Sequence, residues 1–343
     1  MGADHDLRVA VRGPARPSAR TARRAERNLN PLVRFAAITV AAAALAAVMP
    51  FAGVSVYAGT LVYYAAYYLV LGQAWNMMSG LTGYVSFTHG ALAGIGAYTA
   101  VLAINGGWPI TLALVAAVAV TAFASLVIGV TSLRLRGTAF TFATLFFQEL
   151  LLLGVRKLPA AGGAAGTTLQ EILPTSLPHV LMVLTAAGAT IAFALLRRSR
   201  TGVRLLAIKG DEDAAAAVGI DATRLKIGVF CASAALCGLA GGIHALFIAS
   251  LHPESVFSVD TSIVALAVPL IGGVETALGP VAGAILYVGL REILQIVAPS
   301  LHLVIVGLLI LLVTLFLRDG IIGAARRLLQ RRRTYRAALE TAR

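Results

Sequence analysis

Apolar residues in this chain come in long unbroken runs rather than at every third or fourth position. Val101 to Leu133 and Ile293 to Leu317 contain no Asp, Glu, Lys or Arg. A soluble helix keeps a polar face with a 3.6-residue period, which these runs lack. About 20 apolar residues cross a bilayer core as a helix, the element that satisfies its own backbone hydrogen bonds in lipid. Cutting the chain at its Gly, Pro and charge breaks predicts ten spans, at 33–51, 57–77, 88–104, 109–133, 138–155, 178–197, 225–250, 261–274, 278–297 and 300–317. The expected fold class is therefore an all-α polytopic membrane protein of about ten transmembrane helices. A disordered basic tail 1–32 precedes the membrane domain 33–317, and a second basic tail, 318–343, follows it. Val33 to Phe51 superficially resembles a signal peptide, but its basic flank is long and the rest is membrane-embedded, so it is read as an uncleaved first span.

Charge adds topology to this pattern. Only 13% of residues are charged, against about 25% in soluble domains. The net charge of +13 comes from basic residues in 1–34, in 197–226 and beyond Arg318. That is where the positive-inside rule puts them, so the basic balance points to topology and anionic lipid head groups and not to nucleic acid. With the N-terminus inside, the cytoplasmic segments are 1–32, 78–87, 134–137, 198–224, 275–277 and 318–343. The outer segments, 52–56, 105–108, 156–177, 251–260 and 298–299, hold Arg156 and Lys157 as their only basic residues. Both termini are thus expected in the cytoplasm.

Two apolar stretches are broken by glycine, Ser79 to Gly90 and Ile271 to Pro280. Irregular backbone at membrane depth is tolerated where protein or a water-filled path surrounds it, and paired interruptions in two halves mark transport pathways between inverted repeats. Such inverted-repeat-like halves make Asn76, Gly80, Gly83, Ser86, His89, Gly272 and Gly273 pathway candidates. The second stretch reads equally well as a tight interhelical turn of small residues. Charges inside the spans, Glu149, Arg291 and Glu292, are expected to face the protein interior; adjacent Arg291 and Glu292 point about 100° apart and are expected to bond other helices.

Metal and nucleotide chemistry find no support. His89 has no second ligand at i+3 or i+4, and Cys231 and Cys237 lie six apart on one apolar helix and are not expected to pair. None of the three lysines, Lys157, Lys209 and Lys226, follows a glycine, so the chain has no phosphate-binding loop. No cofactor is expected on this chain, and if transport is ATP-driven another polypeptide hydrolyses the ATP. The longest polar loop, 198–224, places Asp211, Glu212 and Asp213 at the first turn of a short helix closed by Gly219, and Asp221 caps the next. That helix is read either as a docking element for a soluble partner or as a plain amphipathic helix on the membrane surface.

Several of these motifs together resemble a known family. Trp75-Asn76 to Gly80, Ser86 to Gly90 and Gly94 to Ala100 resemble the N-L-x-x-G…S-x-G-H…G-I-G-A-Y pattern of LivM-type permeases, subunits of ATP-binding cassette importers for branched-chain amino acids and related amides. Arg134 to Gly137 with Phe140, Thr144 and Glu149, the Gly162-Gly163 loop, Ser199 to Gly202 through Gly219, and Gly279 to Ala284 keep the family's order and spacing from about 70 to 320. Thr88 stands where a glycine is usual, Val264 where many members carry glutamate, and Arg318 where proline is common. The resemblance implies a bacterial inner-membrane permease with no enzymatic activity of its own. It implies as partners a second homologous permease, two cytoplasmic ATPase subunits that bind ATP and Mg²⁺, and an extracytoplasmic substrate-binding protein. It turns the 208–219 helix into a coupling helix for the ATPase, carried by Ile208, Lys209, Asp211, Glu212, Ala215, Ala216 and Gly219. Import of urea or short amides is the nearer alternative. A proton-coupled transporter using Glu149, His89, Arg291 and Glu292 is the more distant one.

Overall fold

The computed structural model describes residues 19–51, 53, 55–171, 173–297, 304, 307–308, 320–323 and 327. It is a bundle of helices: α1 (Ala19–Val48), α2 (Val56–Trp75), α3 (His89–Asn105), α4 (Ile110–Ser132), α5 (Thr138–Lys157), α6 (Ser176–Arg198), α7 (Arg200–Gly210), α8 (Glu212–Ala217), α9 (Ala222–Ile248), α10 (Pro253–Val256), α11 (Val259–Gly272) and α12 (Gly279–Val297). A two-stranded antiparallel ribbon pairs β1 (Thr167–Thr168) with β2 (Ser250–Leu251). Seven described helical segments are long and apolar enough to cross a membrane. The expected spans at 57–77 and 88–104 correspond to α2 and α3, which are not among the seven. Helix α2 carries five tyrosines, and α3 has only 17 residues. The expected span 300–317 lies largely outside the described residues, as do the tail 318–343 and residues 1–18 of the first tail.

The first helix starts earlier than the expected first span. Helix α1 begins at Ala19, inside the segment 1–32 read as disordered. The stretch from Ala19 to Glu26 is built from Ala, Arg and Glu with one Thr, mostly strong helix formers that hydropathy does not register.

Small residues set how closely the helices pack. Gly96 of α3 lies against the backbone of Gly238 in α9, and Gly241 of α9 lies against the Ala93 carbonyl. A Cβ at Gly238 would meet the Thr121 side chain of α4. Without a hydrophobic drive between helices in lipid, such close backbone approach supplies the packing energy. Helices α11 and α12 repeat the device, since Gly272 abuts the Gly279 carbonyl and Gly283 abuts that of Val268. The second glycine-broken stretch therefore has a packing role, the alternative already open in its sequence.

The connections sort to two ends of the bundle, along the same division that charge alternation predicts. At one end, Arg136 pairs with Asp213 (3.1 Å), Lys209 with Glu275, and Lys226 with Glu212. These contacts gather the 78–87, 134–137, 198–224 and 275–277 segments. At the other, Arg156 pairs with Glu254 (3.4 Å), β1 pairs with β2, and Asn105 donates to the Thr168 carbonyl (2.9 Å). Cys231 and Cys237 are both free thiols.

Candidate functional site

The irregular first stretch starts where α2 widens. Asn76–Gly80 form a buried π turn, a helix irregularity common at functional sites. Helix α3 begins at His89, and its first amides have no intrahelical acceptor. Side chains from distant helices fill that need. The Gly90 amide donates to Ser262 Oγ (2.8 Å) and the Ala91 amide to Gln148 Oε1 (3.2 Å). Gln148 is fully buried, also accepts from Ser262 Oγ (2.9 Å), and donates to the Phe257 carbonyl (2.7 Å).

The end of α2 also grips the second glycine-broken stretch. Gln73 donates to the Ala277 carbonyl (2.7 Å) and Asn76 Nδ2 to the Thr276 carbonyl (3.2 Å), while Asn76 Oδ1 accepts from the Glu275 amide (2.9 Å). Glu275 has a φ of 63°, a left-handed conformation that a non-glycine residue keeps when its surroundings enforce it. Trp75 Nε1 donates to the Ser86 carbonyl (3.0 Å), Ser86 and Thr88 share a hydroxyl bond (2.9 Å), and His89 lies 3.4 Å from Ser233 Oγ. The pathway candidates Asn76, Gly80, Ser86, His89, Gly272 and Gly273 are thus buried together on the end facing the loop 198–224.

That loop holds two helices where one at 208–219 was expected. Asp211 breaks them with extended backbone, and its Oδ1 accepts the amides of Asp213 and Ala214. The acid that starts the helix therefore caps it directly. Gly219 closes it at a φ of 84°, and Asp221 caps α9 through the Arg224 amide (3.0 Å). Ile208 and Ala215 are buried against the bundle; Asp211, Ala216, Gly219 and Val218 are exposed.

Two clamps join this pair of helices to the membrane bundle. In the first, Lys209 Nζ donates to the Gly80 carbonyl (3.0 Å) and pairs with Glu275. Its alkyl chain fills the space beside Gly83, whose φ is 79°. One side chain thereby holds both glycine-broken stretches. In the second, Lys226, only 1% exposed, donates to Glu212 (2.7 Å) and to the Tyr84 hydroxyl (3.0 Å), and that hydroxyl donates to Glu212. Burial raises the Glu212 pKa, but the bonds from Lys226 and Tyr84 outweigh it and hold the carboxyl below its usual range. Burial and the bond to Glu212 together raise Tyr84. Because the folded Glu212 pKa is depressed, the pair's contribution is complete above the ordinary carboxylate range. It is lost as pH falls through the folded value.

Two expectations for membrane charges are revised or extended. Glu149 lies exposed on the outer face of α5 among Phe142, Phe146 and Leu150, not in the interior. One residue of helical rotation separates it from Gln148, which sequence reasoning missed. Gln148 continues a polar stripe with Thr141 and Thr144 at helical spacing, and that stripe was the available signal. Arg291 donates to the Tyr68 hydroxyl (3.1 Å), and Glu292 accepts from the Tyr57 hydroxyl (2.6 Å). Each bonds a different tyrosine of α2 and they do not pair with each other, in keeping with their angular separation.

A bundle with seven described helical segments long and apolar enough to cross a membrane is the architecture of a multi-pass membrane protein. The chain belongs to the family described as branched-chain amino acid transport system / permease component, whose model matches residues 57–314. Among its relatives are the proteins named high-affinity branched-chain amino acid transport system permease protein LivM of Salmonella typhimurium (strain LT2) and of Escherichia coli (strain K12). Each is 28% identical over 279 residues, covering 71% of this chain and 65% of the relative. The chain thus spans 65% of the length of those relatives. No solved structure matches it significantly.

Proposed function

We propose that this chain is a permease subunit of an ATP-binding cassette importer in a bacterial inner membrane, with its termini and the α7–α8 pair in the cytoplasm. Its partners in this reading are a second permease, two ATPase subunits and an extracytoplasmic binding protein, and the cargo is a branched-chain amino acid or a similar small polar solute. Beyond family membership, the double contact of Lys209 carries the reading. A soluble engine needs a handle on the membrane bundle, and α7 and α8 are clamped to both glycine-broken stretches while their outer face stays free. That face borders a depression of about 440 Å³ lined by Arg204, Val218, Gly219, Arg224 and Leu225, which the ATPase would cover. A carboxylate on a lipid-facing surface is costly, and in the assembled pair the second permease covers Glu149.

ATP binding that draws the ATPases together would move α7 and α8 as a unit. The unit would pull on the Asn76–Gly80 turn and the Glu275 turn and shift the population between inward- and outward-open forms. The assembly reconstituted in proteoliposomes is expected to take up leucine only with ATP inside reach of the ATPases. Uptake that persists without ATP and collapses with an uncoupler would instead establish the proton-coupled alternative.

Lys209→Met tests the handle itself. It keeps the alkyl packing beside Gly83 and removes the ammonium, so ATPase subunits should still co-purify while uptake falls about tenfold. Undiminished uptake would dissociate Lys209 from transmission.

A further inference from the structure

The half of the bundle opposite α7 and α8 encloses a cavity of about 210 Å³ between α2, α3, α9, α11 and α12. Tyr64, Tyr67 and Tyr68 form one wall, His244 and Thr261 contribute polar atoms, and Arg291 reaches in from α12. The wall is rigid, because Tyr67 stacks on His244 with ring centroids 4.1 Å apart and Tyr68 meets Tyr287 edge-on at 5.2 Å. Arg291 lies 5.6 Å from the Tyr64 ring centroid and bonds the Tyr68 hydroxyl. Among the described residues no carboxylate lies within 4.0 Å of it, and its neighbour Glu292 is turned to Tyr57.

An arginine in a membrane bundle ordinarily finds an anion or a ring of carbonyls. Here the guanidinium keeps donors beyond its one bond to a hydroxyl, in a fork that matches a carboxylate. We propose that this cavity is a solute subsite that takes a small zwitterionic amino acid, with the carboxylate on Arg291. The tyrosine faces take the ammonium or the alkyl side chain, since both an ammonium and apolar carbon sit well against an aromatic ring. The inference rests on the permease reading and narrows its cargo. A neutral amide or urea would leave the guanidinium without its counter-charge, so the site discriminates against both. The cavity meets the first glycine-broken stretch at its Gly90 end, where Thr261 packs, and its lining includes neither Lys209 nor the Glu275 turn, so holding solute and receiving ATPase motion fall to different ends of the bundle.

The test is equilibrium binding of radiolabelled L-leucine to the purified full chain in lipid nanodiscs, with L-leucinamide and urea as competitors. Leucine is expected to bind and unlabelled leucine to displace it, whereas leucinamide and urea should compete at least about tenfold more weakly, since a charged hydrogen-bond pair is lost. Arg291→Met should weaken leucine binding by a similar factor, Arg291→Lys should restore part of it, and Glu292→Gln should leave it unchanged. Leucinamide competing as well as leucine would overturn the proposal without requiring any variant to fold. So would full binding by a monodisperse Arg291→Met chain. ATP-driven leucine uptake by the assembly with no binding to this chain would remove the subsite and leave the permease reading intact. Binding without ATP-driven uptake would do the reverse.

Discussion

Gly96→Val is expected to cost this protein its folded bundle, with purified yield falling to a small fraction of wild type and the remainder running as aggregate. The position shows why. The first carbon of any side chain at Gly96 would overlap the backbone of Gly238 on α9, and backbone cannot rotate aside as a side chain can. Ordinary overpacking costs about 1–3 kcal/mol, and this clash exceeds it because α3 and α9 would have to separate along their contact. Separation would also lift Gly241 from the Ala93 carbonyl, so the α3–α9 seam opens along its length. Gly154 on α5, with open space where a Cβ would stand, is the control, and Gly154→Val should leave yield and thermal midpoint near wild type. A monodisperse Gly96→Val chain with an unchanged midpoint would show that the α3–α9 seam is looser than its geometry.

Most of the helices were legible because lipid leaves the backbone few options. A run of apolar residues without charges has to close its hydrogen bonds within itself, so run length alone marks a helix. The expected span 88–104 is α3 at His89–Asn105, and 278–297 is α12 at Gly279–Val297. Charge alternation likewise separated the connections into the two groups that the ion pairs gather. The same logic is blind where hydropathy is not the cause. The extension of α1 back to Ala19 follows from helix propensity, and the π turn at Asn76–Gly80 follows from contacts with the Glu275 turn that no local pattern encodes.

Legibility of the site stopped at pairings. The acids of 211–213 marked a helix start, yet Tyr84 meets Glu212 across 128 positions of chain, and nothing in either segment names the other. Lys226 is visible as one of three lysines and within the family's loop pattern, but nothing there marks it as buried. Its burial is set by α9 packing, which depends on the whole bundle. Glu149 was misplaced because a charge is conspicuous in sequence while helical phase is not. Gln148, uncharged and one step earlier, took the interior position that the Thr141–Thr144 stripe defines. Arg291 was seen as a charge, but the tyrosine wall opposite became a cavity only once α2, α9 and α12 were packed.

Glu212→Lys carries the other large effect, and the structure changes its meaning. Sequence alone makes Glu212 a contact for a docking partner. The folded chain turns it inward instead, onto Lys226 and Tyr84, so the substitution would place a second ammonium beside a buried one. Removing one partner of a buried pair costs about 3–5 kcal/mol, and like-charge repulsion adds to that; part is recovered because the Glu212 side chain retains 19% exposure and a lysine there can swing toward water. The result should be release of α8 from the bundle and loss of nearly all uptake, while α1–α6, held by their own packing, still insert. The reciprocal exchange Glu212→Lys with Lys226→Glu restores the attraction and should recover a measurable part of the uptake, which a contact on the ATPase would not allow. Two measurements separate the cases: uptake in the single and double variants, and ATPase subunit co-purification in each. If the double variant is as dead as the single and both lose the ATPase, Glu212 acts on the partner. If the double recovers, the pair is the joint through which motion of α8 reaches α9 and the Tyr84 segment.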